Sequence, residues 1–353
     1  IRDRYVGWPA VFWITSPAIA LALVATIRSV PENRDVEAAR LDWRGTLLVF
    51  LGLLGIAYGL ISAPTHGWTS PVTLGSLLGG VGALVAFLLV ERRISDPLIA
   101  LQIFRNPLVA GANIVTLLLY FAFNGAVLFT VLNLQQIQEY SPIEAGIAML
   151  PPIAIITFMA APAGTLADRL GPRLQMIGGP ALVAAGIALL LTGGPDARYL
   201  VHFLPGLVVA GFGMAFVIAP LTKSALLVET RFSGSASGVN NAIARTAGLL
   251  AVAILGAMML AAFAPRLTEM LQSSQLGAEE QVEIMVQYDR LGGIVIPESF
   301  DEPARHAARH AVRDAFIYAF RWAMGLCAAL ALLASVVSFI TIRPEKSDPT
   351  RAA

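Results

Sequence analysis

Polar side chains recur at helical spacing within one long apolar stretch, and they are the first candidates for binding a small molecule. At 100° per residue, four of them fall within about 80° of arc, and a fifth returns close to the same face. A polar face on a membrane helix meets a water-filled cavity or another helix rather than lipid. Substrate-cavity lining and hydrogen bonds between helices are therefore both open interpretations. The five residues are Asn113, Thr116, Tyr120, Asn124 and Gln135.

A second polar group lies in a later apolar stretch. Asn240 and Asn241 precede Arg245, and Asn241 and Arg245 are one helical turn apart. A charge inside a membrane helix is costly, which favours a gate or coupling role for these three residues. The alternative is that the helix begins outside the membrane and that Arg245 extends to the polar interface.

Segment 164–173 combines glycines, one acid and two bases between two apolar stretches, and reads GTLADRLGPR. Two glycines permit a tight turn between helices. The carboxylate of Asp168 can take a helix N-terminus or pair with arginine. We expect a conformational latch rather than a proton carrier at this loop. Its residues are Gly164, Asp168, Arg169, Gly171 and Arg173.

The apolar stretches offer little for catalysis or metal binding. No Asp or Glu lies in the middle of one, and no Ser/His pair or metal cluster lies at that depth, so an intramembrane enzyme is not expected. His306 and His310 are spaced i, i+4, but no Glu follows the first as zinc proteases require. We expect that basic segment to lie on lipid headgroups. The sequence therefore predicts no enzyme, no cofactor and no metal.

Composition decides which class of protein positions these residues. The chain has 353 residues, of which 57% are hydrophobic and 13% charged, with a mean hydropathy of +0.72. Soluble domains carry about 25% charged residues, so two soluble domains are excluded. The net charge of +1 gives no basic field for nucleic acid. The single cysteine, Cys327, cannot form an intrachain disulfide. An all-α polytopic membrane protein is predicted.

Nine segments are long and apolar enough to cross a membrane, which takes about 20 residues. They are 8–28, 45–64, 72–90, 107–134, 146–166, 174–191, 199–222, 235–263 and 316–342. The second and third form a hairpin, in which Gly55-x-x-x-Gly59 and Gly75-x-x-x-Gly79 predict close helix contact.

Lysine and arginine set the predicted orientation. Fourteen of them lie in one set of loops, whereas the opposite short loops hold only Arg2, Arg4 and Arg198. The positive-inside rule places the first set in the cytoplasm. The first residue is then outside, the last residue is cytoplasmic, and segment 264–315 is an outer loop.

Several motifs resemble the major facilitator superfamily. Segment 164–173 is similar to its cytoplasmic G-x-L-a-D-r-x-G signature. Segment 8–17, WPAVFWITSP, resembles a stretch of the fourteen-span drug:proton antiporter branch, with Thr15 where that branch usually has asparagine. Segments 41–45, 97–106, 140–151 and 237–256 resemble further motifs of the branch. The resemblance covers nearly all the chain except 264–315.

The resemblance implies a major-facilitator-type bundle that is truncated at its N-terminus. The nine helices would correspond to the sixth through fourteenth of the family, and the odd count agrees because transporters are usually built from paired repeats. Residues 1–30 would be the last helix of the N-terminal half. Residues 31–106 would be a cytoplasmic linker with an inserted two-helix hairpin, and residues 107–353 a six-helix C-terminal half with the outer loop.

The function implied by the resemblance is proton-coupled efflux of small amphipathic compounds or drugs across the plasma membrane, by alternating access. The expected partners are small lipophilic substrates, the lipid bilayer and the missing N-terminal helices, with the proton gradient as energy source. The alternative is a truncated, non-transporting membrane remnant or a receptor-like relative. No motif identifies the substrate.

Overall fold

The computed structural model describes residues 10–29, 42–94, 101–228 and 233–342. Every regular element within these ranges is a helix. The chain divides into two compact units, Ile1–Leu41 and Asp42–Ala353. In the first unit, helix α1 spans Ala10–Ser29 and contains Pro17.

The described residues of the second unit form ten further α-helices. They are α2 (Trp43–His66), α3 (Pro71–Glu91), α4 (Pro107–Gln136), α5 (Pro142–Ala148), α6 (Leu150–Leu170), α7 (Pro172–Leu190), α8 (Leu204–Ala225), α9 (Ser233–Gln272), α10 (Ala278–Met285) and α11 (Glu302–Thr341). Short helical turns lie at Leu101–Arg105, Tyr199–Phe203 and Tyr288–Gly293.

Side-chain caps start the long helices. Ser70 caps α3 through the Thr73 N–H at 3.2 Å, and Asn106 caps α4 through the Leu108 N–H at 3.0 Å. A proline follows each of these two caps, where its missing N–H costs no hydrogen bond. Gly171 ends α6 with a φ of +81°, a conformation that glycine adopts without strain.

Eight helices in the described residues are long and apolar enough to cross a membrane. The predicted all-α polytopic class is therefore confirmed. The remaining predicted span, 8–28, overlaps α1. The apolar part of α1, Ile19–Ser29, is shorter than the eight helices that could cross a membrane. The count of nine is not confirmed. Residues 1–9, 30–41 and 95–100, which include parts of the predicted first helix and linker, lie outside the described residues.

Helices extend into both ends of segment 264–315, the predicted outer loop. Helix α9 continues to Gln272 and α11 begins at Glu302, so each has 40 residues and is about 60 Å long. Arg266 of α9 pairs with Asp314 of α11 and with Glu269 of its own helix, each at 2.9 Å. These ion pairs lie on the part of the two helices that continues beyond the apolar segment.

Glycine permits the closest helix contacts. A Cβ at Gly80 of α3 would lie 2.6 Å from Ile56 N and 2.8 Å from Gly52 O of α2. Gly55 is equally close to the Gly80 backbone, and Gly59 is close to a leucine side chain of α3, which confirms the predicted contact of the Gly55 motif. The predicted contact through Gly75-x-x-x-Gly79 is wrong. A Cβ added at Gly75 or Gly79 would meet no atom of the described residues within 4 Å.

Helix α11 packs against α4, α7 and α9, while α8 packs against α6 and α7. Phe203, Phe263, Phe316 and Phe320 are fully buried among these helices. The starts of α4, α7 and α9 and the ends of α6, α8 and α11 lie at one end of this unit, named here the Gly171 end. The opposite end carries α10 and is named the α10 end.

Candidate functional site

Helices α4 and α9 meet along a polar line. The Thr116 hydroxyl donates to Asn240 Oδ1 at 2.9 Å. Two turns further on, Asn124 lies over Gly248, where an added Cβ would be 3.3 Å from Asn124 Nδ2. The two contacts keep the same sequence offset, so the helices run parallel in register. Thr116, Asn124, Asn240 and Gly248 are named the α4–α9 seam.

The predicted stripe on α4 divides along its length. Asn113 and Thr116 are buried, and Asn113 Nδ2 donates to the Val109 carbonyl at 2.9 Å. Tyr120 and Gln135 are half-buried, and Asn124 is exposed. Thr116 thus links α4 to α9, whereas the printed bond of Asn113 stays within its own helix. The more exposed part of the stripe begins near the middle of α4.

Helix α9 presents the second polar group beside the seam. Asn240 is half-buried, whereas Asn241 and Arg245 are exposed. Asn241 Nδ2 donates to the Ser237 carbonyl at 3.1 Å. Helix α9 begins at Ser233, so about 18 Å of helix precedes Arg245.

Three exposed polar side chains lie beside the seam, Asn124 on α4 and Asn241 and Arg245 on α9. The amides both donate and accept hydrogen bonds, and the guanidinium is a permanent cation with five N–H donors. An arginine at the centre of a membrane helix costs about 2.5–3.5 kcal/mol in lipid. These side chains suit contact with water, protein or the polar group of an amphipathic molecule.

Asp168, the acid of the predicted latch loop, pairs with a residue that the sequence analysis did not assign. Lys223 Nζ at the end of α8 lies 2.5 Å from Asp168 Oδ1, and both side chains are more than half exposed. The two residues are 55 positions apart, and no local pattern links them. This ion pair joins α6 to α8.

The other latch residues form the turn between α6 and α7. Gly171 supplies the positive φ, and a Cβ at Gly164 would contact Ala219 of α8 at 3.6 Å. The Arg173 guanidinium lies 5.5 Å from the ring centre of Phe339 on α11. Arg169 is exposed. These contacts connect the turn to α8 and α11.

A buried acid at the Gly171 end was also missed. Glu91 is 3% exposed at the end of α3, and its carboxylate approaches Gly45 together with that of Asp42. Asp42 Oδ1 accepts the Gly45 N–H at 2.9 Å. In sequence, Glu91 stands directly before Arg92, at the end of the uncharged segment 45–90.

Comparison with known proteins places these helices in a family. The family model of the Major Facilitator Superfamily matches residues 4–253, a range that ends within α9.

The relatives include proteins named for resistance and export. The chain is 34% identical to the puromycin resistance protein pur8 of Streptomyces alboniger over 273 residues, covering 76% of this chain and 54% of the relative. It is 30% identical to the multidrug resistance protein Stp of Mycobacterium tuberculosis over 256 residues, 72% and 47% of the two chains. It is 28% identical to the tetracenomycin C resistance and export protein of Streptomyces glaucescens over 351 residues, 98% and 65%. The chain thus spans about half to two-thirds of the length of these relatives.

Proposed function

Because the chain belongs to the major facilitator superfamily, we propose that it exports small amphipathic compounds or drugs in exchange for protons. The relatives named for puromycin, tetracenomycin C and multidrug resistance support this class of substrate. A non-transporting remnant or a receptor-like membrane protein is the competing function.

The observation that carries the proposal is the exposed polar surface formed by Asn124, Asn241 and Arg245. These side chains lie on helices that are otherwise apolar enough to cross a membrane. Facing lipid would be costly for each of them, so the surface lines a water-filled cavity. An apolar cavity with a few amides binds many lipophilic compounds, which suits polyspecific export.

The predicted stripe takes two roles in this proposal. Asn124 and the half-buried Tyr120 and Gln135 contact the substrate, because their side chains reach the surface. Thr116 positions α4 against α9, because it is buried and bonds to Asn240, whereas Asn113 is buried and bonds within α4 to Val109. The amide of Asn240 thereby fixes α9, which presents Asn241 and Arg245.

Arg245 is the coupling residue in this proposal. Its charge is permanent, so it responds to protonation only through a carboxylate that pairs with it in one conformation. Planar bidentate pairing requires arginine, whereas extension to an interface needs only a positive charge. Lysine at this position therefore distinguishes coupling from simple extension towards the interface.

Alternating access requires contacts that break and form again. The ion pair between Asp168 and Lys223 is well exposed, and exposed pairs contribute only about 0–1 kcal/mol. A contact of that strength opens readily, which suits a latch between α6 and α8. The unequal distribution of lysine and arginine between the loops predicts that the Gly171 end is cytoplasmic and that the α10 end is outside the plasma membrane.

The test is dye and drug efflux in an efflux-deficient bacterial host that expresses the full-length product of the gene. We expect Asn124→Ala and Asn241→Ala to change the substrate profile, and Arg245→Lys to lose most efflux at unchanged membrane abundance. Ser76→Ala is the matched control, because its hydroxyl bonds only to Val72 O of its own helix, α3. No efflux by the wild-type protein, with ligand binding retained, would instead support the receptor-like alternative.

A further inference from the structure

A groove opens between α9 and α11 near the α10 end, away from the α4–α9 seam. Its volume is about 460 Å³, within the range of about 300–1,000 Å³ typical of small-ligand sites. Met258, Pro265, Arg266 and Glu269 line it from α9, and Tyr318 and Trp322 line it from α11.

The rim of the groove is charged and held in place. Arg266 donates from Nε and Nη2 to Asp314 Oδ2 at 3.1 and 2.9 Å, and from Nη1 to Glu269 Oε2 at 2.9 Å. Its guanidinium also lies 5.7 Å from the Tyr318 ring centre. These three bonds use three of its five N–H groups, so Arg266 retains donors for a ligand.

The charges at the rim are of both signs. Two carboxylates, Glu269 and Asp314, surround one guanidinium, which leaves an excess of one negative charge. Glu269 is the more accessible, with 67% of its side chain exposed. Such a rim disfavours a purely anionic group and matches a group that carries both an anion and a cation.

The floor of the groove is apolar and aromatic. Tyr318 and Trp322 lie one turn apart with ring centres 6.5 Å apart at 71°, and Trp322 is 58% exposed. Met258 lies one turn deeper into the apolar segment than Ala262. Tyrosine and tryptophan concentrate where membrane meets water. The groove therefore crosses the boundary between the apolar segment of α9 and its charged continuation.

We propose that this groove binds a phospholipid with a zwitterionic, primary-ammonium headgroup of the phosphatidylethanolamine type. The phosphate accepts the remaining N–H groups of Arg266, and the ammonium donates to Glu269. The first part of an acyl chain lies against Met258 and Trp322. This lipid site is separate from the substrate surface and does not depend on the proposed export.

The order of lipid affinities follows from the rim. Phosphatidylglycerol brings a phosphate but no ammonium, so it meets the excess negative charge without compensation. Phosphatidylcholine has a cation but no N–H, so it cannot donate to Glu269. An exposed ion pair in the upper part of the usual range contributes about 0.4–1 kcal/mol, which corresponds to roughly two- to fivefold in affinity for phosphatidylethanolamine over either lipid.

The test is native mass spectrometry of the full-length protein in detergent, titrated with dioleoyl lipids that differ only in these three headgroups. We expect the two- to fivefold preference in the wild type, its loss in Glu269→Gln, and weaker binding of all three lipids in Trp322→Ala. The matched controls, Glu298→Gln at the α10 end and Phe158→Ala on α6, replace exposed side chains outside the groove.

Equal affinity for the three lipids would overturn the proposal, as would a preference that survives in Glu269→Gln. Each variant is required to give the same monodisperse elution as the wild type. Arg266→Gln tests the contact between the lipid phosphate and Arg266. Weaker binding of all three lipids to Arg266→Gln supports the site, because each lipid carries a phosphate. Unchanged binding of all three lipids contradicts the site.

Discussion

Asp168 and Lys223 form a contact whose strength suits switching. Because both side chains are well exposed, water screens the attraction and salt weakens it further. The pair therefore contributes little to the free energy of unfolding. In the proposed latch, this pair is the contact between α6 and α8 that breaks when the Gly171 end opens.

We predict that Asp168→Asn and Lys223→Gln each reduce efflux several-fold while changing the free energy of unfolding by less than about 1 kcal/mol. The double variant is expected to have the same efflux as the more impaired of the two single variants, because each single substitution already removes the same contact. Efflux rate and thermal unfolding in detergent check this. Asp289→Asn, an exposed acid at the α10 end, is the control, and fully additive losses would refute the shared role.

Tyr199 compensates for a proline-induced gap between α5 and α6. Pro152 has no N–H, so the Ala148 carbonyl four residues earlier loses its helical partner. The Tyr199 hydroxyl donates to that carbonyl at 2.6 Å. Across the helix, Gly211 of α8 allows the close approach of Pro152, where a Cβ would lie 3.0 Å from Pro152 Cα.

We predict that Tyr199→Phe lowers the free energy of unfolding by about 1 kcal/mol, since a buried carbonyl loses its donor. Thermal unfolding in detergent measures this loss. Tyr58→Phe on the exposed face of α2 is the control and should change stability little. Equal effects of the two variants would show that the hydroxyl of Tyr199 contributes nothing specific.

Helix contacts depend on which face each glycine occupies. In α3, Gly79 and Gly80 are neighbours in sequence, yet only Gly80 lies against α2. In α7, Gly178 and Gly179 differ in the same way, because a Cβ at Gly179 would be 2.9 Å from Gly213 O of α8.

We predict that Gly80→Ala destabilises the hairpin by about 1–3 kcal/mol through overpacking. Gly79→Ala is expected to be neutral or stabilising, by up to about 1 kcal/mol, because alanine favours helix and its Cβ meets open space. Thermal unfolding of the two variants provides the comparison. A larger loss of stability in Gly79→Ala than in Gly80→Ala would contradict the assignment of the α2–α3 contact to the face of Gly80.

Apolar length and caps made most helices predictable, as for the segment 107–134 and α4 (Pro107–Gln136). The continuation of α9 past Phe263 was not, because Arg266 reads as the end of a span and its partner Asp314 is 48 residues away. Likewise, the spacing of Asn113 to Asn124 indicated one polar face. It did not indicate that α9 covers Thr116 and leaves Asn124 exposed.

The described residues of the second unit include a helical hairpin, a set of long packed helices and an extension at the α10 end. The single cysteine of the chain, Cys327, is buried, so an introduced cysteine reports on its own position. Sidedness can therefore be measured directly.

We predict that Ser273→Cys at the α10 end reacts with a membrane-impermeant maleimide in intact cells. Arg169→Cys at the Gly171 end should react only after permeabilisation, because the positive-inside rule places that end in the cytoplasm. The protein without an introduced cysteine is the control and gives the background labelling. The reverse pattern of labelling would invert the proposed orientation.

The central claim is that the surface of Asn124, Asn241 and Arg245 binds a substrate whose export is driven by protons. Its most direct measurement is transport of a lipophilic cationic dye in proteoliposomes that contain the full-length protein and carry an imposed pH gradient. We predict gradient-driven transport that a protonophore abolishes and that Asn241→Ala and Arg245→Gln reduce at least several-fold. Dye movement no faster than in protein-free liposomes, or transport unaffected by the protonophore, would contradict it.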